Sequence, residues 1–105
     1  MEAKRRDGNY RISLSAYEIK ELTEGRKTCS ILTDEVNGVC MNFGLQKMEN
    51  RGCRLRGDDN WGKILFVSSE LLSYLSAQLT HAPMPTTSFS YDASTEAGLV
   101  TLCVK

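Results

Sequence analysis

The chain has 105 residues, with 13 basic against 13 acidic side chains and one histidine, the size of one ordinary domain and too short for two. Apolar residues make up 41% and charged residues 25%, close to the globular average, which argues against wholesale disorder. The balanced charge argues against a dedicated duplex-DNA binder, because neutralised phosphates supply much of the affinity of such proteins.

Residues 1–8 are polar and basic with no apolar stretch behind them, so they read as a flexible arm and not as a secretory signal. The longest clearly apolar run, residues 64–67, is far short of the ~20 residues of a membrane span, so a cytoplasmic protein without membrane contact is expected. Residues 9–105 read as a single α+β domain. Tyr10, Ile12 and Leu14 alternate with polar residues, the period of a half-buried strand. Ser15 and Glu18 then form a capping box, Leu14 and Ile19 a hydrophobic staple, and Gly25 a stop, so a helix is expected over 16–24.

Residues 28–32 are rich in strand formers, and Asp34 to Gly38 read as a turn. Val39, Met41, Phe43 and Leu45 mark the inward face of the clearest strand. Residues 53–56 and 63–67 read as further short strands around a loop at 57–62. Ser68 or Ser69 caps a second helix over 69–80, where Leu71, Leu72, Leu75 and Leu79 share one face. Pro83 and Pro85 end it, and residues 88–92 and 98–104 suggest a terminal hairpin. No internal repeat is visible. The expected architecture is a mostly antiparallel sheet of five to seven short strands covered by two short helices.

Few constellations carry chemistry. Cys29, Cys40, Cys53 and Cys103 lack any C-x-x-C spacing and His81 stands alone, so no metal or cofactor site is expected. Free thiols fit a chain without a secretory signal. Gly57 to Lys63 has phosphate-loop spacing, yet Ile64 stands where a magnesium-binding hydroxyl is needed, and Asp58-Asp59 would repel phosphate. Those paired acids, and Asp34-Glu35, read as solvated turns. His81 reads as a cationic cap on the second helix.

The most informative segment is basic. Arg51, Arg54, Arg56 and Trp61 are residue types enriched at binding hot spots, and Arg54 and Arg56 share one strand face. They are the candidate partner-binding residues, with another protein the preferred partner and nucleic acid less favoured. Residues 17–31 also resemble the helix, glycine and strand that open ASCH domains, small RNA- or nucleoside-related β-barrel proteins with a G-x-K-x-x-T-x-R motif. Gly25 and Lys27 match that motif, Ser30 takes the Thr position and Leu32 the Arg position. The resemblance implies Lys27 and Ser30 as ligand contacts in an RNA- or nucleoside-binding domain, with amidohydrolase activity as its enzymatic form. The favoured expectation is a small protein-binding module, such as a toxin-neutralising immunity protein or a phage-encoded inhibitor of a host defence protein.

Overall fold

A computed structural model describes residues 1–58, 60–80, 89–95 and 98–104. They form strands β1 (Glu2–Arg6) and β2 (Asn9–Leu14), helix α1 (Ala16–Thr23), strands β3 (Thr28–Asp34), β4 (Cys40–Met48), β5 (Cys53–Asp58) and β6 (Gly62–Ser68), helix α2 (Ser69–Thr80), and strands β7 (Phe89–Thr95) and β8 (Gly98–Val104). All eight strands join one sheet in the order β5-β6-β4-β3-β1-β2-β8-β7. Its two end strands, β5 and β7, approach each other, so the sheet curls into a nearly closed barrel.

This corrects the expected five to seven antiparallel strands. The four hairpins β1–β2, β3–β4, β5–β6 and β7–β8 are antiparallel, but parallel pairings of β1 with β3, β2 with β8, and β4 with β6 stitch them together. Two-residue turns and alternation specify a hairpin locally. Parallel neighbours lie far apart in sequence and leave no local mark. Nor do the helices cover a flat sheet. Each leaves the barrel at the same end, after β2 or β6, and they pack on each other there. Their Ile19, Leu22, Leu71, Leu72 and Leu75 join one apolar cluster with the barrel interior.

The flexible arm is also corrected. Residues 2–6 are strand β1, lying between β3 and β2. Asp7 at φ 51° and Gly8 at φ 81° supply the two left-handed residues that a tight hairpin turn needs. Ala3 and Arg5 point inward and are buried, while Glu2, Lys4 and Arg6 point out. Charged residues on both faces hid the alternation.

The strand pattern repeats. Residues 2–48 and 53–104 each run β-β-α-β-β, and each half contributes a strand to the other's neighbourhood through β2–β8 and β4–β6. Ala3 pairs with Ile12 and Leu55 with Leu65 at corresponding, buried places. Ser15 accepts from the N–H of Glu18, and Ser68 from that of Leu71, so both helices open on the same cap. The internal repeat lies in topology and capping, beneath a sequence too divergent to display it.

Most of the expected inward residues are buried, Met41, Phe43, Leu45, Leu71, Leu72 and Leu75, and so are Leu102 and Val104 of β8. Val39 is 40% exposed, because β4 begins one residue later, at Cys40. The side chain of Leu79, and residues His81, Pro83 and Pro85, lie outside the described residues. At the hairpin end the interior turns polar. Arg5 Nε donates to Asp34 Oδ2 at 2.7 Å, and Lys63 Nζ donates to Tyr10 Oη at 3.0 Å. Asp34, expected to be a solvated turn acid, is 3% exposed.

Candidate functional site

The outer face of β5, β6, β4 and β3 carries the site, and strand alternation selects its side chains. Leu55 and Leu65 point into the barrel, so Arg54, Arg56, Ile64 and Phe66 point out. Register then sets Arg56 beside Ile64, Ile64 beside Gly44, and Gly44 beside Cys29, one row across four strands. The next row toward the hairpin tips pairs Asn42 with Ile31.

Trp61 sits in the β5–β6 turn. Asp58 Oδ1 accepts from the backbone N–H groups of Asn60 and Trp61 at 2.9 and 2.8 Å, an Asx-type turn that fixes the loop. Gly62 follows at φ 104° and lies so close to β4 that a Cβ would stand 2.6 Å from the Asn42 carbonyl oxygen. Trp61 stays 85% exposed at the edge of the outer face and does not cover the core. With Lys27, Cys29, Asn42, Gly44 and Ile64 it lines a groove of about 330 Å³. A smaller depression, also lined by Trp61, is bordered by Ile31 and Cys40.

The expected site residues divide. Arg54, Arg56 and Trp61 share this face, and Lys27 reaches the same groove from the start of β3. Arg51 does not join them: it lies at the far end of the β5–β6 hairpin and pairs with Glu70 at 3.7 Å. Ser30 borders the groove, but its hydroxyl donates to the Met1 carbonyl at 3.0 Å, which commits it to the fold. Two further lysines of the basic segment are also engaged. Lys47 donates to the Thr23 carbonyl at the end of α1, and Lys63 turns inward to Tyr10. Arg26 is paired with Glu21 and Glu24, whereas Lys27, Arg54 and Arg56 form no ion pair among the described residues.

Cys29, Ile31, Gly44 and Ile64 were not expected at a binding face from the sequence. Their one signal is that they occupy the positions between inward-facing residues, and it becomes informative only when register aligns three strands. The thiols are all free, with Cys29 and Cys40 exposed, Cys53 half-buried and Cys103 buried. Burial pushes the Cys53 thiol up to about 11. Among the described residues no three His, Cys, Asp or Glu side chains converge as a metal site, and no helix is long and apolar enough to cross a membrane. No protein-family model matches the chain, and no curated protein or solved structure matches it.

Proposed function

We propose that the protein is a non-catalytic binding module that recognises an acidic surface of another protein through the outer face of β3, β4, β6 and β5. The observation that carries this reading is Trp61, held 85% exposed beside a groove and on the same face as Arg54 and Arg56. A monomer gains nothing in stability from an indole held in water, and Trp and Arg are the residues most enriched among interface hot spots. Ile64 and Phe66, half-buried, supply the apolar centre, and the cations the rim, of an ordinary protein interface. Asp58, the acid at the edge of this face, already accepts two backbone N–H groups.

A domain of this size acts on its partner by covering a surface. That mode suits toxin-neutralising immunity proteins and phage-encoded inhibitors of host defence proteins, which is the role we favour. Nucleic acid is the less favoured partner because the chain carries no net charge, and phosphate neutralisation needs a larger excess.

The test is capture on immobilised protein, with the captured partner identified by mass spectrometry. Arg54→Glu combined with Arg56→Glu should abolish capture of any specific partner and leave the melting temperature within a few degrees of the parent. Capture by the parent should also weaken as salt rises, because rim charges are screened. Undiminished capture by the double charge reversal would place the interface elsewhere.

A further inference from the structure

We infer that the groove between Lys27 and Trp61 receives one aromatic side chain of the partner, presented on an extended segment with an acidic residue two positions before it and another two positions after. The inference deepens the proposed function and rests on it.

The groove's size argues for a single ring. At about 330 Å³ it stands at the lower end of the roughly 300–1,000 Å³ typical of small-molecule pockets. Its floor is Gly44, the one position in the row Arg56–Ile64–Gly44–Cys29 without a side chain. A Cβ there would meet Thr28 O at 3.6 Å and Cys29 Sγ at 3.7 Å, ordinary contacts. Glycine is therefore not required by the local fold, and its effect is to leave the floor open. The Trp61 indole, Ile64 and Cys29 give walls suited to an aromatic ring, which prefers offset or edge-on contact with another ring.

Charge and spacing supply the flanking acids. Arg56 on β5 lies to one side of the groove and Lys27, at the start of β3, to the other. Three strand spacings of about 4.8 Å separate β5 from β3, and Lys27 lies two residues along from Cys29, the residue in the row of Arg56, so the two cations stand roughly 16 Å apart along a diagonal. In an extended peptide the side chains at i−2, i and i+2 share one face, and i−2 to i+2 spans about 13–14 Å at ~3.4 Å per residue. A peptide crossing the strands obliquely thus brings a carboxylate within side-chain reach of each cation when its central ring is in the groove. A single-stranded nucleic acid would present a base and phosphates to the same features, but two flanking cations on a neutral chain fit a short peptide better than a phosphate backbone.

Trp61 is the only tryptophan, so its fluorescence reports on the groove directly. The probe is a synthetic pentapeptide with phenylalanine at its centre, glutamate at both ends and serine between. Titration should give a saturable change in Trp61 emission, lost when the phenylalanine is replaced by serine. Gly44→Leu, which fills the floor, and Cys29→Tyr, which closes the exposed wall, should each weaken binding at least tenfold. Gly44→Ala should retain both binding and melting temperature and so controls for folding. No saturable change with the parent protein, or undiminished binding by both groove-filling variants, overturns the inference. Tighter binding of a ten-residue oligothymidylate than of the peptide also overturns it and assigns the face to single-stranded nucleic acid. If Arg54→Glu with Arg56→Glu abolishes partner capture while Gly44→Leu leaves it intact, the face binds but the groove is not its receptor.

Discussion

Asp34 holds a turn and a buried cation together. One of its oxygens accepts from the N–H groups of Val36 and Asn37 at 2.9 Å, and the other from Arg5 Nε at 2.7 Å. The Asn37 N–H first, and then the Arg5 guanidinium, hold its carboxyl down to about 2 from an ordinary 3.8. A folded value below the unfolded one means stability that is complete above the unfolded pKa and lost as the folded value is approached. Asp34→Asn should therefore lower the melting temperature at neutral pH and flatten its fall between about pH 4 and pH 2. An unchanged acid profile would show that this carboxylate does not govern acid unfolding. The thiols offer a second check at this scale. Cys29 and Cys40 should react with a thiol reagent in the native protein, whereas Cys103 is covered and the raised pKa of Cys53 keeps it protonated, so both should react only on unfolding. Phe43 is 2% exposed in the barrel interior. Phe43→Ala should cost roughly 3–5 kcal/mol in chemical denaturation.

Helix α1 is built from local chemistry at both ends. Ser15 accepts from the Glu18 N–H at 3.2 Å, and Glu18 accepts from the Ser15 N–H at 3.0 Å. At the other end Gly25, at φ 91°, lets its own N–H reach Leu22 and that of Arg26 reach Glu21, a Schellman closure. Ser15→Ala should cost roughly 0.5–2 kcal/mol, read as a lower denaturation midpoint at unchanged slope. Gly62 shows the opposite situation, since its requirement comes from another strand. Its positive φ strains any L side chain, and a Cβ would strike the Asn42 carbonyl. Gly62→Ala should destabilise by more than about 1 kcal/mol in the same measurement, whereas the outward Gly44→Ala should not. The capping box, the staple and the long apolar strand β4 were legible because each lies within a few residues. Strand β1 was not: its Asp7-Gly8 turn is a strong hairpin cue, but Lys4, Arg5 and Arg6 before it look solvated until Asp34 is known to receive Arg5.

Barrel closure depends on pairings between distant segments. β2 aligns with β8 so that Leu14 faces Val104, about as far apart as this chain allows. Parallel contacts of that separation must close long loops before they contribute. Refolding should therefore take milliseconds to seconds, not microseconds, in stopped-flow circular dichroism. The same non-locality governs the binding face. Sequence alone grouped Arg51 with Arg54, Arg56 and Trp61 by proximity in the chain, and the fold sends Arg51 to the opposite end of the hairpin. It brings in Lys27 instead, from a segment noted for a different reason, and exposes Gly44 between them. Short-range chemistry was enough for both helices and their caps, the turns before and after β4, and the inward residues of β4 and α2. Parallel order, barrel closure, the place of β1, the buried Arg5–Asp34 pair and the groove beneath Trp61 came instead from contacts between distant segments. Alternation states that a side chain points out, but which residues share that outside is set by register between strands remote in sequence.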